Sequence, residues 1–155
     1  MGVSGSGKTS VGQALAQALR CPFTDADQFH SAANREKMAA GIPLTDEDRL
    51  PWLRDIGRAI RASSLQGSDH VFACSALKSD YRRILDPDRQ CKLVYLRGSR
   101  QLLAERLAGR SGHFFNPDLL QSQLDTLEEP QDAAIIDIGQ PLPVIIEELL
   151  KIYRT

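Results

Sequence analysis

The chain has 155 residues, a formal net charge of −1, 42% hydrophobic residues and 25% charged residues. These values fit one globular domain with an ordinary core. They exclude a global electrostatic pull toward nucleic acid or an anionic membrane, and no apolar run is long enough to span a bilayer.

Polar turns and apolar runs alternate along the whole length. Val11, Ala14, Leu15, Ala18 and Leu19 form one apolar stripe at helical spacing over 9–19. Residues 22–26 read as a short strand. Ser31 is placed to cap a helix that ends before Gly41. Thr45, with Asp48 three residues on, predicts a capping box opening a helix through Leu53, Ile56 and Ile60. Pro51 is expected to break or restart that helix. Residues 71–74 and 93–96 read as strands. Ser99 caps a helix bearing Leu102, Leu103 and Leu107, and 109–116 (GRSGHFFN) reads as a loop. Asn116 and Pro117 make a cap and first-turn pair for another helix. A strand over 133–138 and a helix over 143–153 close the chain.

Helices alternating with short apolar strands predict a three-layer α/β/α domain over 1–155, with one parallel sheet covered on both faces. No repeat, low-complexity tract or linker divides it. The three cysteines (Cys21, Cys74, Cys91) lack metal-site spacing. Cys74 and Cys91 sit in or beside apolar runs, which predicts buried free thiols in a reducing cytoplasm. The polar, glycine-rich first ten residues do not read as a secretory signal.

Residues 2–9, Gly2-Val3-Ser4-Gly5-Ser6-Gly7-Lys8-Thr9, match the P-loop pattern G-x-x-x-x-G-K-[ST] in full. Glycines let the backbone wrap close to phosphate oxygens. Successive N–H groups and the following helix N-terminus supply an anion site. Lys8 would reach the β- and γ-phosphates of ATP, and the Thr9 hydroxyl would ligate Mg²⁺. A P-loop normally follows a buried central strand, and here only Met1 precedes it. Losing that strand would deprive two neighbours of a ladder partner, so the expectation is a chain that lacks its true N-terminus.

Further motifs follow in fixed order: Asp25-Ala26-Asp27-Gln28-Phe29-His30, Lys37-Met38, Gly41-Ile42-Pro43-Leu44, Asp46-Glu47-Asp48-Arg49 and Pro51-Trp52-Leu53. Then come Cys74-Ser75-Ala76-Leu77-Lys78 with Tyr81-Arg82, Gly112-His113-Phe114-Phe115, and Gln123 through Glu128. This set resembles the small P-loop gluconate kinases over nearly the whole chain. The C-S-A-L-K and G-H-F-F elements are more specific than the P-loop alone. The resemblance implies ATP-dependent phosphorylation of D-gluconate to 6-phosphogluconate, a nucleoside-monophosphate-kinase-like fold and often a homodimer. The chain departs from the family at Thr9 (commonly Ser), at Ser31 (often Pro) and in the missing first strand.

Within that frame the remaining residues take expected roles. Asp25 and Asp27 are two apart at a strand end, so both carboxylates should face the ligand crevice; an Asx turn is the alternative. By analogy with related kinases Asp27 orients or deprotonates the acceptor hydroxyl, and Asp25 lies nearer Mg²⁺. His30 would contact a sugar hydroxyl by resemblance, or face solvent. A carboxylate acceptor needs cations, and Arg49, Lys78 and Arg82 are available. Lys78 and Arg82 are four apart and should share a helical face. Ser75 contacts substrate or caps that helix. In this fold class the 109–116 loop is a lid, bringing Arg110, and less so Arg106, to the phosphates. His113 would be a lid contact with substrate; Phe114 and Phe115 would pack the lid. Trp52 is expected in the core or the site wall, and Gln140 and Pro141 beside adenine. A kinase for shikimate or a nucleoside monophosphate, and a non-catalytic nucleotide-binding protein, are the alternatives.

Overall fold

Helix α1 (Lys8–Leu19) forms where the apolar stripe predicts it and buries Val11 and Ala16. It belongs to a computed structural model that describes residues 1–109 and 117–154. Strand β1 (Phe23–Asp25) follows, then a four-residue 3-10 helix (Ala26–Phe29), α2 (Ala32–Ala39) and α3 (Asp46–Leu65). Next come β2 (Val71–Ala73), α4 (Ser79–Leu85), β3 (Val94–Arg97) and α5 (Arg100–Ala108). Helix α6 (Pro117–Thr126), β4 (Ala134–Asp137) and α7 (Leu142–Arg154) complete the chain.

The predicted helix starts hold. Ser31 and Ser99 accept from the N–H groups of Asn34 and Leu102. Thr45 and Asp48 form the reciprocal capping box. Such caps satisfy donors that the first helical turn cannot bond internally.

All strand pairing is parallel, as expected, but it forms two pairs rather than one sheet. Strand β1 pairs with β2, and β3 with β4. Between the pairs run residues 1–3. They contribute the bonds Met1 N to Val94 O (2.5 Å), Leu96 N to Met1 O (2.9 Å) and Gly2 N to Ser75 O (3.3 Å). Among the described residues these bonds are what links β2 and β3 through this stretch.

Five further expectations need correction. Pro51 lies inside α3 without ending it. It sits early in the helix, where it forfeits one hydrogen bond to the carbonyl of Glu47, an exposed residue. Cys74 is buried, but Cys91 is exposed, on the connection between α4 and β3. The strand ends at Asp25, so Asp27 lies on the 3-10 helix rather than in strand alternation. Helix α4 starts at Ser79 with Lys78 as its non-helical cap residue. Lys78 and Arg82 therefore do not share a helical face, and Ser75 lies too far upstream to cap.

The interior divides into two apolar clusters. One gathers Val3, Val11, Leu96, Leu103, Ile136 and Ile145 around β3, β4, α1, α5 and α7. The other gathers Ala26, Trp52, Leu53, Ile56, Tyr81 and Leu85 around the 3-10 helix, α3 and α4. Helix α1 packs on β1, β2 and α7, while α3 packs on α4 and the 3-10 helix. The P-loop thus rests on the first cluster, and the residues after β1 rest on the second.

Candidate active site

The P-loop bends through glycines that no other residue replaces cheaply, Gly2, Gly5 and Gly7. Gly7, the residue before α1, has φ 84°, in the left-handed region. A Cβ on Gly2 would lie 2.7 Å from Ser6 Oγ and 2.9 Å from the Leu96 carbonyl oxygen. Helix α1 opens without a side-chain cap. Its first-turn N–H groups and the positive end of its dipole therefore point at the loop, an arrangement suited to phosphate. The Lys8 ammonium donates to the Val3 carbonyl at 2.9 Å, inside the loop it would serve.

Side chains from elsewhere brace this loop. Gln123 of α6 accepts from Ser4 N at 2.7 Å and donates to Ser4 Oγ at 3.0 Å. Arg106 of α5 donates to the Ile138 carbonyl at 2.6 Å. It lines a cavity of about 270 Å³ with Gly5, Gly7, Ser10, Gln140 and Ile145. The expected adenine-side residue Gln140 is thus beside the P-loop. The role foreseen for Gln123 was only motif membership; its two-pronged grip needs residues 119 apart to meet.

Thr9 and Asp25 meet as well. Thr9 Oγ1 donates to Asp25 Oδ2 at 2.8 Å. The other carboxylate oxygen of Asp25 accepts from Asp27 N at 3.0 Å, so the Asx-type turn forms together with the P-loop contact. Asp27 is left with a side chain 79% exposed, while that of His30, 3.9 Å away, is 5% exposed. His30 is therefore not the solvent-facing residue that was one expectation. It stacks on Trp52 with centroids 4.3 Å apart and planes 12° apart. Burial pushes its pKa down, against the smaller opposing pull of Asp27. Neutral imidazole is the favoured form, and His30 Nδ1 has no hydrogen-bond partner among the described residues. Trp52, buried as expected, donates from Nε1 to the Ala26 carbonyl at 2.8 Å and fixes the 3-10 helix on α3.

The three cations expected for a carboxylate separate into two arrangements. Arg49 donates to Tyr81 Oη at 2.9 Å, and Tyr81 donates to Asp46. Lys78 grips both Asp46 oxygens at 3.0 and 3.1 Å. Arg49 and Lys78 lie 5.6 and 5.5 Å from the Tyr81 ring centroid. The hydrogen bond from Tyr81 and that from Lys78 hold the Asp46 carboxyl below its usual range. Arg82 turns away and donates to the carbonyls of Ala76 (2.9 Å) and Leu77 (3.1 Å). Ala76 has φ 47°, a costly left-handed conformation for a residue with a Cβ, and Arg82 ties down its carbonyl. Sequence reading passed over Asp46 and Tyr81 as site residues. Both lie inside the motifs that carry the family resemblance, but only tertiary packing brings them together.

Arg110, His113, Phe114, Phe115 and Asn116 lie outside the described residues, so the lid expectations attach to no described geometry.

The shikimate kinase family model matches residues 4–135, well over half the chain. A probable gluconokinase from Dictyostelium discoideum is 49% identical over 96% of this chain and 82% of its own length. The gluconokinase of Arabidopsis thaliana is 43% identical over 97% of this chain and 88% of its own. The crystal structure of a gluconokinase from Sinorhizobium meliloti 1021 superposes with a TM-score of 0.88 at 46% identity, covering 97% of this chain and 87% of that one. P-loop geometry, the parallel α/β architecture and these likenesses agree: the chain belongs to the gluconokinase family of P-loop kinases.

Proposed function

We propose that this protein transfers the γ-phosphoryl group of ATP to the terminal hydroxyl of D-gluconate, releasing ADP and 6-phospho-D-gluconate. The observation that carries this reading is one continuous line of contacts from a phosphate site to a carboxylate site. It runs from the P-loop through Thr9, Asp25 and the 3-10 helix to Trp52 on α3. One turn before Trp52 on the same helix stands Arg49, tied through Tyr81 and Asp46 to Lys78.

The P-loop over Gly2 to Thr9 and the α1 N-terminus bind the triphosphate; the N–H groups of Gly2, Ser4 and Ser6, bonded to Ser75, Gln123 and Val3, shape the loop rather than meet phosphate. Lys8 exchanges the Val3 carbonyl for the β- and γ-phosphate oxygens, and Arg106, with Arg110 of the lid, adds positive charge there. Arg49 and Lys78 hold the acceptor carboxylate, and Arg82 keeps the loop between β2 and α4 in shape for them. That end-on grip aims the far hydroxyl toward Asp27. Asp27 is exposed, next to the P-loop residue contact, and orients the hydroxyl or takes its proton. His30 and His113 complete the acceptor site.

Thr9 Oγ1 and Asp25 Oδ2 fit Mg²⁺. They are hard oxygen donors at the end of the P-loop, and this ion takes one or two protein oxygens beside phosphates and water. Among the described residues no cluster of three or more His, Cys, Asp or Glu offers a competing metal site. When bound, Mg²⁺ supplies charge neutralisation at the transferring phosphoryl group. The three free cysteines suit a reducing cytoplasm.

The test is a coupled ADP-release assay with gluconate, shikimate, a nucleoside monophosphate and no acceptor. Release that depends on gluconate is expected. The shikimate description of the matching family model makes that acid the comparison of most interest. Selective turnover of shikimate or of the monophosphate, or release independent of any acceptor, would overturn the reading.

A further inference from the structure

The cationic end of the proposed acceptor site contains its own anion. Asp46 sits between the two cations that would hold the substrate, gripped by Lys78 through both oxygens and by the Tyr81 hydroxyl. Arg49 reaches the same group through Tyr81. The other charges nearby are matched separately. Asp48 is paired with Lys37, and Asp80 with Arg83. Arg82 and Glu128 both hold the loop between β2 and α4. Arg82 binds the carbonyls of Ala76 and Leu77, and Glu128 accepts from Ser79 N at 2.8 Å. Among the described residues, what remains is two cations, Arg49 and Lys78, facing one carboxylate.

We infer that Asp46 sets the charge of the acceptor site: it leaves one positive charge uncancelled and so selects acceptors with a single carboxylate over acceptors whose end group is a dianion. The inference rests on the gluconate-kinase reading above. Tyr81 makes the arrangement rigid. It donates to Asp46, accepts from Arg49, and is itself buried in the cluster formed by α3, α4 and the 3-10 helix. With Asp46 fixed there, a carboxylate meets a balanced site. A terminal phosphate, carrying a second negative charge, meets Asp46 as an uncompensated neighbour. Like charges a few ångströms apart in a partly solvated site oppose each other. Removing the Asp46 charge relieves this repulsion for the dianion more than for the monoanion.

The experiment compares two acceptors on the same protein preparation. One is D-gluconate. The other is D-glucitol 1-phosphate, which keeps a free primary hydroxyl at the far end but presents a phosphate where gluconate presents its carboxylate. The readout is the ratio of their kcat/KM values, so any general loss of activity cancels. Wild-type protein favours gluconate. Asp46→Asn is expected to move the ratio roughly fivefold to tenfold toward the phosphate ester. Asp46→Glu, which restores the charge, is expected to return the ratio toward wild type. An unmoved ratio in Asp46→Asn, or an equal movement in Asp46→Glu, overturns the inference and leaves the gluconate reading intact. Wild-type protein that turns over neither acceptor removes that reading and the inference with it.

Discussion

Around the P-loop the groups offered to a ligand are main-chain N–H groups; around the 3-10 helix, α3 and α4 they are side chains. The first half needs left-handed glycine at Gly7, close approach at Gly2 and an uncapped helix start, all within eight residues of chain. The second half joins Asp46 to Lys78 and Tyr81, residues 32 and 35 apart in sequence. A backbone site is a local conformation. A side-chain site exists only once a core has brought distant segments together, here the cluster of Trp52, Ile56, Tyr81 and Leu85.

The largest break in this comparison comes from the lysine inside the backbone site. Lys8→Ala removes the ammonium from the P-loop and leaves the glycines and helix N-terminus in place. Turnover should fall by roughly 10³-fold with the far-ultraviolet circular dichroism of wild type. Activity within a few-fold of wild type would show that the loop does not serve the transferred phosphate. Asp27→Asn comes next. It should lower kcat by about 10²-fold while nucleotide titration gives near wild-type ATP affinity, because Asp27 lies beyond the Thr9–Asp25 contact, on the side proposed for the acceptor. Equal losses in kcat and ATP affinity would place it in the nucleotide half instead.

This division also explains what could be seen in the sequence. The eight P-loop residues, the caps at Ser31, Thr45 and Ser99 and the short apolar strands were legible because local sterics and hydrogen bonding dictate them. Pro51 misled because a proline early in a helix costs one bond, and packing of Trp52, Leu53 and Ile56 outweighs that loss. The face shared by Lys78 and Arg82 was assumed from spacing, but the chain does not turn helical until Ser79. The burial of His30 was equally hidden, since it depends on Trp52, 22 positions further on, arriving beneath the imidazole ring.

Two milder changes sharpen the same contrast from each side. Gln123→Ala removes both bonds to Ser4 and leaves its buried-side N–H to find water. Losing about 1 kcal/mol of loop organisation should raise KM for ATP roughly fivefold, with KM for gluconate little changed. Trp52→Phe keeps an aromatic ring against His30 but loses the bond to the Ala26 carbonyl. Its expected effect is the mirror image, a similar rise in KM for gluconate with KM for ATP preserved. If both variants raise both constants alike, the two halves are not separable and the comparison fails.

The smallest expected effect concerns protons. Burial lowers the pKa of His30 from its ordinary 6.5. In the unfolded chain the same group accepts a proton near that value, so below it the unfolded state binds more protons than the folded one. Stability must therefore fall as pH drops through this window, and above it His30, neutral in both states, contributes nothing. His70, also lowered by burial, acts in the same direction. The informative quantity is accordingly the difference between proteins, not the wild-type slope. Between pH 7 and pH 5.5 the decline in Tm should be shallower in His30→Asn than in wild type, by on the order of a degree. Asp46 and Asp48, held below the usual carboxylate value of 3.8, stay ionised across that range and do not blur the difference. Parallel Tm curves for the two proteins would mean that the ring is protonated without cost, and that its stacking on Trp52 does not keep it neutral.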